Sequence, residues 1–213
     1  VPAIVDDRIY FNEGAEVARV NLFTGLEDWR TSILDPSNRT DRINDPIGPT
    51  TVAVDGDDLV TWIGYSMAGG TSESKEVVCL DTRTGDERWR FNLADTKGVD
   101  DPQSLYPAGP VVIHEDRVFV IARRERRQGL KSCYLLALNR LDGTPAFATY
   151  IASTGSQFRE GSLRPLTMPV VKDDQIIIAT SIGAIASVDV ASGRVQWLQR
   201  LDTPVAGTQA TTR

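Results

Sequence analysis

One turn motif occurs four times along the chain and constrains its fold more than any other feature. Each copy has an apolar residue, an Asn or Asp anchor, a Gly four residues after the anchor and an aromatic residue eight after it. The anchors are Asn21, Asp81, Asn139 and Asp189, the glycines are Gly25, Gly85, Gly143 and Gly193, and the aromatic residues are Trp29, Trp89, Phe147 and Trp197. Only 17 of the 213 residues are Gly, so four at one offset indicate an internal repeat.

The residue types of the motif predict a β-hairpin. A short Asn or Asp side chain can bond to the backbone amides just ahead of it, and Gly adopts the positive φ of a tight turn. The apolar run before the anchor and the run with the aromatic residue after it are typical of strands. Because a single hairpin cannot bury an indole, we expect the units to stack, with each aromatic residue packed on a neighbour.

A second pattern precedes each hairpin in the same phase. A Pro opens an apolar stretch, which runs into an acidic turn and then into another apolar strand. The prolines are Pro2, Pro49, Pro110 and Pro169, and the acidic turns lie at 6–7, 55–58, 115–116 and 173–174. Each unit therefore indicates four antiparallel strands, the blade of a β-propeller. We predict an all-β chain with blades at 2–30, 49–93, 110–151 and 169–202 and a frayed tail at 203–213.

The complete motif resembles the tryptophan-docking motif of pyrroloquinoline-quinone (PQQ)-like repeats. The second unit matches best, with Cys-Leu-Asp at 79–81 followed by Thr-Gly at 84–85 and then Trp89. The third unit departs by Phe147, and the first departs by Arg19 at a position that is small in the family, which predicts weaker packing of the first unit. The resemblance covers residues 2–202 and implies part of a ring of seven or eight blades.

That family includes quinoprotein dehydrogenases, the propeller lipoprotein of bacterial outer-membrane β-barrel assembly, and many exported proteins. The resemblance therefore implies a non-enzymatic protein-interaction scaffold in an extracytoplasmic, periplasmic compartment. Its alternatives are a fragment of a PQQ- and Ca²⁺-dependent dehydrogenase and the sensor propeller of a larger signalling protein. The similar dehydrogenases use two adjacent cysteines beside the cofactor, whereas Cys79 and Cys133 are far apart here. We favour the scaffold and expect no catalytic residue, cofactor or metal in this chain.

Composition and charge argue against several kinds of partner. The formal net charge is −6, so neither nucleic acid nor an anionic membrane surface is indicated. No apolar run is long enough for a transmembrane helix, and any membrane tether would lie outside this chain. Cys79 and Cys133 fall on equivalent strands with an axial offset of roughly 13 Å at about 3.3 Å per residue. That offset is too large for a disulfide, so we expect two small buried residues.

One basic cluster contrasts with the acidic composition. Arg123, Arg124, Arg126 and Arg127, with Lys131 nearby, are predicted at the tip of the central hairpin of the third unit. Two interpretations are open: a solvated guard of an exposed strand edge, or a contact for a protein partner that binds loops or edges. Arg has the planar donor geometry that suits carboxylates and phosphates.

Three other patterns carry less information. His114 is the single His, which excludes most His-based metal sites. Segment 64–71 has the glycine spacing of a phosphate-binding loop, but Gly70 stands where Lys is required. The acidic residues at 55–58 and 173–174 would suit calcium, yet they recur in phase, so we interpret them as turn residues.

Overall fold

The computed structural model describes residues 2–33, 43–46, 51–63, 65–67, 75–125, 130–155, 169–180 and 182–201. This part of the chain consists of strands, turns and two short 3₁₀ segments, Leu93–Asp95 and Pro102–Ser104. The strands are β1 (Ala3–Val5), β2 (Arg8–Asn12), β3 (Glu16–Asn21), β4 (Glu27–Ser32), β5 (Ile43–Pro46), β6 (Val52–Asp55), β7 (Asp58–Trp62), β8 (Tyr65–Met67), β9 (Glu76–Asp81), β10 (Glu87–Asn92), β11 (Leu105–His114), β12 (Arg117–Glu125), β13 (Lys131–Asn139), β14 (Pro145–Thr154), β15 (Val170–Lys172), β16 (Gln175–Ala179), β17 (Ala184–Asp189) and β18 (Val195–Arg200). Within these described residues, none of the helical segments has the length and apolar character needed to cross a membrane.

Sixteen of these strands form four antiparallel sheets of four strands each. In spatial order the sheets are β1-β2-β3-β4, β6-β7-β9-β10, β11-β12-β13-β14 and β15-β16-β17-β18, called blades one to four below. Each blade is an up-and-down meander, because the strands that neighbour one another within a sheet follow one another in the chain apart from the short β8. The predicted all-β architecture of four four-stranded propeller blades is confirmed.

The hydrophobic core lies between the blades. Strand β12 shows this most clearly, since it is apolar at consecutive positions. Val118 and Val120 belong to the cluster shared with blade two, whereas Phe119 and Ile121 belong to the cluster shared with blade four. A third cluster fills the space between blades one and two. We call these three interfaces the seams. Blades two and three each contribute apolar residues to two seams, one on each face of the sheet.

The third sheet extends over more residues than predicted. It runs from Leu105 to Thr154 rather than from 110 to 151. Pro110 lies within β11 and not at its start. It is tolerated there because β11 is an edge strand, where a residue without an N–H breaks no necessary hydrogen bond. A register shift between Pro107 and Val111 accommodates the prolines.

Two short strands outside the four blades form a small ribbon. Strands β5 and β8 pair with each other as a separate two-stranded sheet. The predicted frayed tail at 203–213 lies outside the described residues.

The acidic turns and the docking hairpins form one unit. The first turn residue has a left-handed backbone in each blade: Asp6, Gly56, Glu115 and Asp173 have φ between 50° and 58°. The carbonyl of the next residue accepts the N–H that follows the anchor, in the pairs Leu22 to Asp7, Thr82 to Asp57, Arg140 to Asp116 and Val190 to Asp174, at 2.9–3.0 Å. The two sequence patterns therefore recur in phase because they are bonded to each other.

Candidate functional site

The anchor side chain caps each docking turn. In blade two, Asp81 Oδ1 accepts the N–H groups of Arg83 (2.8 Å) and Thr84 (3.2 Å). The N–H of Gly85 donates to the carbonyl of Asp81 (2.9 Å), with φ of 78° at the glycine. Asn21 caps its turn with the same two bonds. The turn therefore needs a short acceptor side chain at the anchor and a glycine four residues later, as the spacing predicts.

The aromatic residues of blades one to three dock on the turn of the next blade. Trp89 Nε1 donates to the carbonyl of Arg140 (2.8 Å), and its ring covers Gly143, where an added Cβ would lie 2.5 Å from Trp89 Cε3. Trp29 sits on Gly85 in the same way. Three aromatic residues and three glycines of the predicted motif therefore meet across the seams: Trp29 with Gly85, Trp89 with Gly143, and Phe147 with Gly193.

Arg19 joins the first seam instead of obstructing it. Its Nη1 donates to the carbonyl of Thr82 (2.9 Å), which also accepts the N–H of Trp29 (3.0 Å). Its Nε lies 3.0 Å from Asp28 Oδ2, and its guanidinium lies 5.8 Å from the Tyr10 ring centroid. A large side chain fits at this position because it extends across the seam to the neighbouring turn.

A second polar contact accompanies the ring in two seams. Thr31 Oγ1 donates to the carbonyl of Gly85 (2.8 Å), and Thr149 Oγ1 donates to the carbonyl of Gly193 (2.6 Å). Both threonines lie ten residues after their anchors, and blade two has Phe91 at this position. Sequence reasoning missed this contact, although a small hydroxyl residue at a constant offset was a detectable signal.

Arginine side chains hold the acidic turn of blade two. Arg140 bonds through Nε to Asp58 Oδ2 and through Nη1 to Asp55 Oδ2, both at 2.6 Å. Arg88 bonds Asp58 Oδ1 and Asp81 Oδ2, also at 2.6 Å. The hydrogen bond from Arg88 and those from two backbone amides lower the pKa of Asp81 to about 2. These carboxylates therefore form an ion-pair network that spans the second seam.

The basic cluster lies partly within the sheet. Arg123 and Arg124 belong to β12 and pair in register with β13, so neither is at the hairpin tip. Arg124 is only 5% exposed, donates to the carbonyl of Asp100 and lies 5.3 Å from the Tyr134 ring centroid. The prediction that Arg124 offers its guanidinium to a partner is wrong, because the side chain is used inside the blade. Arg126 and Arg127 lie outside the described residues.

The two cysteines are free thiols in the core. Cys79 is in the seam between blades two and three, and Cys133 is in the seam between blades three and four. Burial raises the pKa of both thiols to about 12, with a further contribution from Asp58 at Cys79. Both are small buried residues, as predicted. His114 is half-buried at the end of β11. Within the described ranges, no group of three or more His, Cys, Asp or Glu side chains is arranged to hold a metal ion.

Among the described residues, the first and last copies of the docking motif each make only one of the two docking contacts. Gly25, in the turn of blade one, is exposed, and among the described residues no non-neighbouring atom lies within 4 Å of a Cβ added there. Trp197, on blade four, is 42% exposed, whereas the docked Trp89 is 7% exposed. The described blades therefore end with a vacant docking turn on one side and an undocked ring on the other.

Comparison with known proteins gives consistent matches. A family model described as outer membrane protein assembly factor BamB matches residues 68–212. The outer membrane protein assembly factor BamB of Yersinia pestis is 28% identical over 144 residues, which make up 67% of this chain and 32% of that protein. The chain thus spans about a third of the length of this curated relative.

Solved structures resemble the same fold. BamB from Moraxella catarrhalis matches with a TM-score of 0.57 and 18% identity, over 94% of this chain and 47% of that one. A europium-containing methanol dehydrogenase matches with a TM-score of 0.63 and 13% identity, over 95% and 41%. At these identities the likeness concerns the fold alone.

Proposed function

Because the chain belongs to the BamB family of outer membrane protein assembly factors, we propose that it is a propeller scaffold that binds protein partners during the assembly of outer-membrane proteins. The observation that carries this proposal is the family match over residues 68–212, which extends from the second half of blade two through blade four. On the same ground we assign the protein to the periplasm. The propeller supplies rigidity, and partners bind to loops and strand ends, because the blade faces are used in the seams.

Blade three offers the most prominent binding surface among the described blades. Its strand β12 has nine residues, whereas the equivalent β16 of blade four has five. Four additional residues lengthen a strand by roughly 13 Å. The docking turns lie at the opposite end of the blade, so the extra length projects the β12–β13 hairpin away from them. Arg123 lies near this projecting end, and Arg126 and Arg127 belong to the connection between the two strands.

We therefore expect an acidic partner surface at this hairpin. Arg pairs with carboxylates through two parallel hydrogen bonds, and a local positive charge on an acidic protein accelerates encounter with an acidic partner. The effect falls with ionic strength, because surface charges are screened within about 10 Å at 0.1 M salt. Arg124 is left out of the contact, since its substitution would disturb the packing inside the blade.

The test uses a triple variant, Arg123→Ser, Arg126→Ser and Arg127→Ser, in capture of partners from a detergent-solubilised envelope extract. We expect the wild-type chain to retain outer-membrane assembly proteins and the variant to bind the purified partner more slowly, mainly at low salt. The matched control is Arg83→Ser with Arg194→Ser, which removes exposed positive charge from the docking turns at the other end of the blades. If the control variant also bound the purified partner more slowly, and to the same extent, this would contradict the assignment of this surface. Failure of the wild-type chain to retain any assembly protein would contradict the scaffold itself.

Cofactor binding distinguishes the proposed scaffold from the dehydrogenase alternative. We propose that this chain binds neither PQQ nor Ca²⁺, since its acidic turn residues Asp55 and Asp58 are held by arginine. Isothermal titration with PQQ and Ca²⁺ together should give no heat of binding. Stoichiometric, calcium-dependent binding would favour the enzyme over the scaffold.

A further inference from the structure

The docking turns present an exposed side chain at one constant position, two residues after the anchor. In three blades the N–H of this residue donates to the anchor side chain, from Phe23 at 2.9 Å, Arg83 at 2.8 Å and Leu141 at 3.1 Å. The hydrogen bond uses only the backbone of this residue, and its side chain is exposed in all three turns. Each turn therefore holds in place a side chain whose chemical type the fold does not specify.

Two of these three side chains are large and apolar. Phe23 is 82% and Leu141 is 86% exposed, and Leu26, in the same turn as Phe23, is 69% exposed. The equivalent residues of the internal turn of blade two, Arg83 and Asp86, are exposed as well. The exposure of Phe23 and Leu26 is therefore a property of the turn and does not depend on which blade lies beside blade one.

The tips of the turns lie along one end of the blades. Each docked ring joins its blade to the turn of the next, so the turns of blades one, two and three are consecutive. Arg117 pairs with Asn139, so the acidic turn shares this end of blade three and the β12–β13 hairpin is at the other end. Phe23, Arg83 and Leu141 thus form a row, called the turn row below. Exposed apolar side chains that lie together mark interaction sites.

The surroundings of the turn row are acidic. Thirteen carboxylates and three arginines lie in the four acidic turns and in the docking turns, at 21–26, 81–86, 139–144 and 189–194. This end stays acidic when the flanking Arg8, Arg88 and Arg117, which pair with turn carboxylates, are included. Such a surface repels anionic phospholipid and a second copy of itself, and it attracts a basic partner.

We propose that the turn row binds a basic segment of a polypeptide partner, in which apolar side chains are interspersed with lysines or arginines. The apolar side chains of the segment pack on Phe23 and Leu141, and its cations face the surrounding carboxylates. Arg83, between the two, lies 3.7 Å from Asp57 and 3.8 Å from Asp81, which reduces its repulsion of a basic segment. The inference does not rest on the proposed function, because the β12–β13 hairpin lies at the opposite end of the blade.

Fluorescence anisotropy of a labelled synthetic peptide tests the proposal. The peptide contains Lys, Arg, Phe and Leu separated by Ser and Gly. One control peptide has Glu in place of the basic residues, and the other has Ser in place of the apolar ones. We expect the first peptide to bind the 213-residue chain with an affinity that falls as salt is added, and both controls to bind more than tenfold more weakly. No binding of the first peptide, or equal binding of either control, would overturn the proposal.

Variants of the turn row locate the binding. Phe23→Ser with Leu141→Ser should weaken binding of the first peptide more than tenfold, because two large apolar contacts are lost. Arg83→Ser should tighten it several-fold, since a positive charge leaves the centre of the row. The matched control is Tyr150→Ser with Leu198→Ser, which are both 51% exposed on the outer strands β14 and β18.

The control should bind the peptide as the wild-type chain does, and the melting temperature of the Phe23 and Leu141 double variant should equal that of the wild type. Equal weakening in the control, or weaker binding by Arg83→Ser, would overturn the proposal.

Two other occupants of the turn row are distinguished with the same double variant. Flotation with zwitterionic and with anionic phospholipid vesicles should leave the chain unbound. Retention on vesicles that the double variant abolishes would assign the row to a membrane surface. Sedimentation should show no self-association that the double variant abolishes, and such self-association would assign the row to a second copy. Either result would overturn the proposal.

Discussion

The docking contact predicts different consequences for the same substitution at two glycines. Gly143 and Gly25 have almost the same backbone, with φ of 71° and 70°. Replacing either by Ala places a side chain in the left-handed region, which costs roughly 1–2 kcal/mol. The surroundings differ, because a Cβ at Gly143 would lie 2.5 Å from Trp89 Cε3, whereas one at Gly25 would meet no atom within 4 Å in the described part of the chain. The difference between the two variants therefore isolates the docking contact.

The additional loss at Gly143 follows from the geometry. The Trp89 ring must retreat by several tenths of an ångström, and overpacking of this kind costs about 1–3 kcal/mol. The retreat also lengthens the 2.8 Å bond from the indole to the Arg140 carbonyl, and losing it adds about 1 kcal/mol. We expect Gly143→Ala to lower the free energy of unfolding by about 2–4 kcal/mol more than Gly25→Ala does.

The assay is urea-induced unfolding followed by far-ultraviolet circular dichroism and by tryptophan fluorescence. Both alanine variants are measured beside the wild-type chain under the same conditions. Coincident transitions by the two probes allow comparison of the unfolding free energies. Equal losses at the two glycines would refute the idea that the ring and the turn hold the blades together.

Three further outcomes are expected. Trp89→Phe keeps most of the apolar contact but loses the N–H bond to the next blade, so the free energy of unfolding in urea should fall by about 1–2 kcal/mol. Asp81 has a lowered pKa of about 2, so its contribution to stability is present above about pH 4 and lost as the pH falls towards 2. Asp81→Asn retains the turn cap and should therefore show a flatter stability profile between pH 4 and pH 2 in acid titrations followed by circular dichroism. Cys79 and Cys133 are buried thiols with a pKa of about 12, and mass spectrometry should detect iodoacetamide adducts only after unfolding.

The sequence predicted the blades because the residues that define them act locally. Asp81 caps its own turn and Gly85 adopts the backbone that this turn needs, so both leave a signal at a constant spacing. The position of Trp89 was predictable for the same reason. Its partner was not, because the ring docks on a turn more than fifty residues away, and nothing in the spacing states which neighbour receives it.

The basic cluster shows which contacts could not be predicted from the sequence. Arg124 differs little from Arg123 in sequence context, yet it is buried between the Asp100 carbonyl and the ring of Tyr134. The Arg140 network was hidden in the same way, since Asp55 and Asp58 lie more than eighty residues before it. Contacts of this separation depend on how blades face each other, which repeat spacing does not encode.

Phe147 has a dynamic consequence for the last described blade. Its seam has a ring on Gly193 but no indole N–H, and the Thr149 hydroxyl supplies the polar bond instead. Blade four also has the shorter strands. A blade with short strands that is joined to its neighbour by such a seam should open more often than the rest. We expect the amides of β16 and β17 to exchange with deuterium together and ahead of those of β12 and β13, because blade four unfolds locally more readily than blade three.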